Sequence, residues 1–178
     1  MFSKLPPLVR VPVRYGLIAG AIGFILLVSL FYMDKHPQLV FPFFDFRIAI
    51  FSVFGVFVMR ELRDYYFDNF LTFWQGMISS FIFTLVFALI ASLLLLLFTY
   101  METDYVSVFI KQSIEQIKSA PVEDIKRIGK EAYDELLKST SLVDGVFLAK
   151  RYFFQSFFIS FLISIIISVI LRRQPKPV

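Results

Sequence analysis

Hydrophobic and polar positions in this chain segregate into long blocks. Apolar residues dominate from about 15 to 33, about 40 to 59, about 70 to 100 and about 152 to 171. As a helix, about 20 apolar residues cover roughly 30 Å, the thickness of a bilayer's hydrocarbon core. The pattern therefore predicts four transmembrane helices, TM1 to TM4, with those bounds. TM3 is the longest, and its centre Leu93–Leu97 carries no polar side chain. Such a run extends past the bilayer or tilts within it. TM1 reads as a signal anchor, because its run exceeds the usual h-region of about 7–15 residues and no small-x-small cleavage site follows it.

Residues from about 101 to 147 follow a different pattern. Charges alternate, and apolar positions recur at helical spacing. Tyr105, Phe109, Ile110, Ile114 and Ile117 mark one amphipathic helix, and Val122, Ile125, Ile128, Ala132 and Leu136 mark a second. Pro121, Glu123 and Asp124 suit a helix start and Lys138 suits an end, as the macrodipole prefers. The expected architecture is an all-α integral membrane protein, a single membrane domain over 1–178. Its four transmembrane helices carry an amphipathic helical hairpin inserted between TM3 and TM4.

Composition supports a lipid solvent. Hydrophobic residues make up 58% and charged residues 18%, and 24 residues are Phe. Soluble domains average about 45–50% and about 25%, and a small soluble fold cannot hide so much apolar surface. The net charge of +4 is spread along the chain. That distribution favours anionic lipid headgroups over nucleic acid. Without cysteine and with a single histidine, His36, the chain has no disulfide, no thiolate or zinc constellation and no Cys-His pair. His36-Pro37 reads as a turn. No Gly-x-Ser-x-Gly, Walker A or dinucleotide glycine pattern occurs. No catalytic residue, metal ligand or cofactor is expected.

Lys and Arg set orientation in short loops and flanks. The N-terminal tail has Lys4, Arg10 and Arg14, the bridge between TM2 and TM3 has Arg60 and Arg63, and the C-terminal tail has Arg172, Arg173 and Lys176. The other side has Lys35, with Lys150 and Arg151 before TM4 as dissenting charges. Termini and bridge are expected in the cytoplasm and the 101–147 insert outside. Trp74, Tyr65 and Tyr66 suit an aromatic belt at the inner interface, and Tyr100 and Tyr105 at the outer one.

Helices in lipid associate through small residues. TM1 offers Gly16 and Gly20. TM3 offers Gly76, Ser80, Thr84, Ala88 and Ser92, and TM4 offers Ser156, Ser160, Ser164 and Ser168, both at spacing four. These stripes invite TM3 and TM4 to pack; the sharper alternative is a hydroxyl-lined conduit.

Two groups of ionisable residues are candidates for function or partner contact. Asp45 and Arg47 fall inside nominal TM2, where a charge is a functional hypothesis by default. They form either a buried polar site facing the bundle or an interfacial dipole-and-snorkel pair. Two residues apart on a helix, they are not expected to bond each other. In the bridge, Glu61, Asp64 and Asp68 fall at i, i+3 and i+7. On a helix they would share a face able to hold Mg²⁺ or a basic partner. The alternative is a solvated helix end, with Arg60 and Arg63 pairing locally.

Several of these stretches carry a resemblance. Tyr15-Gly16-Leu17-Ile18-Ala19-Gly20, Arg63-Asp64 and Phe73-Trp74-Gln75-Gly76, with the charged helical insert and a last helix ending in Arg-Arg, resemble the DUF4199 family of small bacterial membrane proteins found mainly in Bacteroidota. The likeness extends over nearly the whole chain. Tyr65–Asn69 stands where the family usually has a Gly-rich turn, and Trp74 replaces a small residue. The resemblance implies a fold and a bacterial inner (cytoplasmic) membrane, with no activity. The expected function is a non-enzymatic subunit of an envelope-related membrane complex, with the bilayer and a membrane protein or second copy as partners. A small transporter or lipid-handling oligomer using the TM3/TM4 stripes is the alternative.

Overall fold

A computed structural model of the chain describes residues 5–33, 36–39 and 45–172. Asp34 and Lys35 of the expected turn, the first part of the second apolar run (40–44), and the tail cations Lys4, Arg173 and Lys176 lie outside them. Among the described residues the chain is built of helices: α1 (Pro7–Phe31), α2 (Phe46–Tyr66), α3 (Phe73–Met101), α4 (Asp104–Lys118), α5 (Val122–Ile128), α6 (Lys130–Ser141) and α7 (Gly145–Leu171). A single 3-10 turn, Pro37–Leu39, lies between α1 and α2.

Helix α1 begins at Pro7, ahead of the apolar run. Proline is preorganised for the first helical position, where its missing N–H costs nothing. Part of the expected basic tail is therefore helical. Between α2 and α3 the chain turns through Asp68 and Asn69 in the left-handed region, φ 47° and 65°. Helix α3 then opens on a capping box. Thr72 Oγ1 accepts from the Gln75 N–H at 3.3 Å, and Gln75 Oε1 accepts from the Thr72 N–H at 2.9 Å.

Helix α3 is the hub, with α1 on one flank and α7 on the other. A Cβ on Gly16 would meet Val86, and one on Gly20 would meet Ile90. Both numbers rise together, so α1 and α3 run parallel. Gly76 lies against Ser168, Thr84 against Ser160, and Gly145 against Thr99. Here one number rises as the other falls by equal steps, so α3 and α7 run antiparallel in a single register. Helix α2 is antiparallel to α1, with Glu61 at Arg14 and Ile50 near Gly23. It runs parallel to α7, with Arg47 at Ser156 and Gly55 at Ile167. Phe51, Phe83, Phe87, Met59 and Leu95 fill the centre.

Large apolar side chains also cover the outside. Ile25, Phe81, Leu93, Phe158 and Ile170 are all exposed. A contiguous coat of this kind suits lipid. Helices α1, α3 and α7 are each long and apolar enough to cross a membrane. Helix α2 is not, by composition. Arg47 stands near its start and Arg60, Glu61, Arg63 and Asp64 near its end. Its uncharged stretch 48–59 covers only about 18 Å.

The insert holds three helices where two were expected. The second splits at Gly129, whose φ of 87° and ψ of 151° lie outside the helical region and are open to glycine. Helix α6 lies beside α4, and none of its residues is buried.

Candidate functional site

The four long helices leave two ends. One gathers the N-terminus of α1, the C-termini of α2 and α7, and the start of α3. The other gathers the remaining helix ends and the insert, and the densest buried polar chemistry lies there.

Asp45 is the N-cap of α2 rather than a residue within it. Its backbone is extended and its Oδ1 accepts from the Arg47 N–H at 2.9 Å. From that position its carboxylate swings over the first turn, and Arg47 Nε donates to both oxygens at 2.8 and 2.9 Å. The expectation that these two residues do not bond each other is therefore corrected. It assumed both lay on one helix, whereas a capping residue does not follow helical spacing. Arg47 is 4% exposed and faces α7. Its Nη1 donates to Tyr152 O and Ser156 Oγ, each at 3.3 Å, and its Nη2 to Gln155 Oε1 at 3.1 Å. The guanidinium carbon stands 4.6 Å from the Tyr152 ring centroid. Of the two open readings, Arg47 takes the one that faces the bundle.

His36 is in a turn but is only 2% exposed. Its ring packs against Tyr105, tilted, at 4.5 Å and against Phe109, edge-on, at 5.0 Å between centroids. Its Nδ1 accepts from the Gln38 N–H at 3.4 Å, and its Nε2 has no partner among the described residues. Burial lowers its pKa to about 4; the Tyr105 main chain pulls the other way, and the Arg151 charge lowers it further. Tyr105, expected at an aromatic belt, is instead fully buried against Phe31, Phe98 and His36. Burial raises its pKa, opposed by the hydrogen bond that Gln38 Nε2 donates to its oxygen at 3.4 Å. Gln38 Nε2 also reaches Leu148 O at 3.3 Å.

These residues form a joint. Tyr105 and Phe109 come from the insert, Arg47 and Tyr152 from the bundle, and His36 and Gln38 from the connection between α1 and α2. Ring packing and one satisfied ion pair make it suited to fixing the insert on the bundle. Sequence reasoning missed His36, Gln38, Tyr105 and Tyr152 as one group. One signal was present: Tyr152 stands four residues before Ser156, so it continues the serine stripe.

At the opposite end Asp68 parts from the other two carboxylates of the bridge, while Glu61 and Asp64, three apart on α2, line one pocket. Glu61 Oε2 accepts from Arg14 Nη2 at 2.5 Å and from Tyr15 Oη at 2.9 Å. Asp64 Oδ1 accepts from Arg63 Nε at 2.7 Å. Asp68 lies past the end of α2, in the left-handed turn. The expected common face is therefore not assembled, because the helix stops at Tyr66. Among the described residues no group of three acids and histidines is placed to hold a metal ion.

The small residues expected to pack mostly line helix contacts. Gly16 and Gly20 admit the α3 backbone, and Gly76 admits Ser168. Ser80, Thr84, Ser156, Ser160, Ser164 and Ser168 are buried. Thr84 Oγ1 and Ser160 Oγ bond each other across α3 and α7. Ser92 departs from the stripe. It is only half-buried, with its hydroxyl turned back to Leu89 O, and Ala91 and Leu95 take the buried line. Strict spacing four drifts about 40° per step, so a stripe must shift to spacing three to stay on its face.

A family model described as a protein of unknown function, DUF4199, matches residues 14–173. No curated protein and no solved structure matches the chain.

Proposed function

We propose that this chain, which belongs to the DUF4199 family, is a non-enzymatic accessory subunit of an envelope-related complex in a bacterial inner membrane. The carrying observation is the contrast within the insert. Helix α4 is rooted in the bundle through Tyr105 and Phe109, while α6 rests on α4 along one flank and stays largely exposed on the rest. No residue of α6 is buried, and Ile128 at the end of α5 is 51% exposed. A helix with segregated apolar and charged positions gains stability by covering its apolar side. A rigid base with an uncovered arm fits a docking element for a membrane protein.

In this reading the chain crosses the membrane four times. Helix α2 is the fourth span, although its composition is too charged for one. Two observations support it. It lies in the bundle beside α1 and α7, and its charges are neutralised at both ends, Arg47 by Asp45 and Glu61 by Arg14. Arg10, Arg14, Arg60, Arg63 and Arg172 gather at the end away from the insert. That end is cytoplasmic by the distribution of positive charge, and the insert is periplasmic. Arg151, a dissenting charge in the sequence, is drawn into the joint, with Nη2 3.4 Å from Gln38 O.

Transport through the TM3/TM4 hydroxyls is the weaker reading: Thr84 and Ser160 bond each other, and the groove of about 580 Å³ that they line with Ser164 is otherwise walled by apolar side chains such as Phe81, Phe157 and Phe161. The subunit reading is tested by purification from native membranes under mild solubilisation. It expects a second membrane protein to be retained, and to be lost when α5–α6 is replaced by a short Gly-Ser linker. Recovery of the chain alone or as a homo-oligomer overturns it.

A further inference from the structure

The insert and the bundle leave a groove of about 570 Å³ between α4, α6 and the first turns of α7. Pockets that hold small molecules span about 300–1,000 Å³. Phe109, Ile117, Leu136, Leu142 and Phe147 give it an apolar strip. Of the polar groups that interrupt the strip, two lack the partner they call for among the described residues.

The first is Arg151. Its Nη2 makes one long contact, 3.4 Å to Gln38 O, and its guanidinium carbon lies 5.4 Å from the Phe109 ring centroid. No carboxylate among the described residues pairs with it. The charge of Arg47, which acts on it, is repulsive and is already satisfied by Asp45. The second is Ser113, only 8% exposed, whose Oγ has no hydrogen-bond partner among the described residues. A half-buried cation without a counterion among the described residues, in one groove with a buried hydroxyl that has no partner among them, marks a place for an anion.

The apolar strip determines what that anion is attached to. Arg151 immediately precedes the uncharged run 152–171, so the groove opens where α7 enters its apolar stretch. An amphiphile has its head at that level of a membrane. A single guanidinium fork matches one carboxylate bidentately. The volume suits one chain. We propose that this groove binds a single-chain amphiphile with a carboxylate head, a fatty acid anion, with the head on Arg151 and Ser113 and the chain along Phe109, Ile117, Leu136 and Phe147. The site does not depend on the docking role of the arm, because its walls are the flank of α6 that faces α4.

The test uses the full chain in phosphatidylcholine nanodiscs and a diazirine analogue of palmitate. Photolabelling should be saturable and should map by mass spectrometry to α4, α6 and residues 142–151. Palmitate should compete and hexadecanol should not. Arg151→Gln should weaken labelling about tenfold or more, as loss of a charged hydrogen-bond partner does. Ser139→Trp, at the exposed rim, should block it with no buried contact altered, and it decides the matter if Arg151→Gln fails to fold. Labelling confined to the lipid-facing sides of α3 and α7, or unchanged in both variants, overturns the site. Equal competition by hexadecanol overturns the anion, and preference for lysophosphatidate or phosphatidylglycerol overturns the single-chain carboxylate.

Discussion

The Arg47 guanidinium stands 4.6 Å from the Tyr152 ring and at the same time donates to the Tyr152 carbonyl at 3.3 Å. One side chain thus ties the first turn of α2 to the point where α7 leaves the insert. Its charge is answered by Asp45, and both side chains are nearly buried, 5% and 11% exposed.

Removing one member of that pair leaves the other buried and unpaired. Arg47→Ala is expected to destabilise the protein by about 3–5 kcal/mol. Ser156→Ala, which removes the 3.3 Å contact from Arg47 and the hydroxyl's own 2.8 Å bond to Tyr152 O but leaves the ion pair intact, should cost about 1 kcal/mol. Thermal unfolding of the two variants in the same nanodisc measures the difference. Equal melting temperatures would show that the pair carries no such weight.

His36 makes stability depend on pH. Its pKa in the folded chain is about 4, against about 6.5 when unfolded. Between those values the unfolded chain binds the extra proton and the folded chain does not, so stability rises with pH there. It is complete above about pH 6.5 and is lost as pH falls from 6.5 toward 4. In His36→Gln that slope should flatten. A melting series from pH 4 to 8 on both proteins checks it.

Close approach at glycine gives a graded series. A Cβ on Gly16 would lie 2.9 Å from the Phe83 carbonyl oxygen, part of a helix backbone that cannot yield. Gly16→Ala should cost about 1–3 kcal/mol. On Gly55 the nearest atom is the tip of Ile167, at 3.1 Å. Gly55→Ala should be milder, since that tip can rotate. Unfolding in nanodiscs orders the two.

The hydroxyl pair between α3 and α7 should contribute little. Thr84→Val is expected to cost about 0.6 kcal/mol, as such bonds do within membranes. Ser160→Leu should cost more, through the bulk it forces between the helices.

Packing was legible in the sequence wherever it followed from local spacing. The stripes at Gly76–Ala88 and Ser156–Ser168 are periodic, and their burial follows from helix geometry. For the carboxylates of the bridge, the shared-face reading needed a helix through Asp68, and the left-handed turn ended it at Tyr66; the alternative of a helix end with local pairing fits Arg63 and Asp64. Asp45 was misread because a cap sits outside the helical period. The joint was invisible for a different reason. His36, Tyr105 and Tyr152 are far apart in sequence and meet only when α4 folds back on the bundle. Family membership was readable from Tyr15–Gly20, Arg63-Asp64 and Phe73–Gly76, all within the matched residues 14–173.

A cross-linking and mass-spectrometry map from native membranes tests the docking role most directly. Lysines of the arm, Lys126, Lys130 and Lys138, should link to one and the same second membrane protein. Links from those lysines only to other residues of this chain would contradict it.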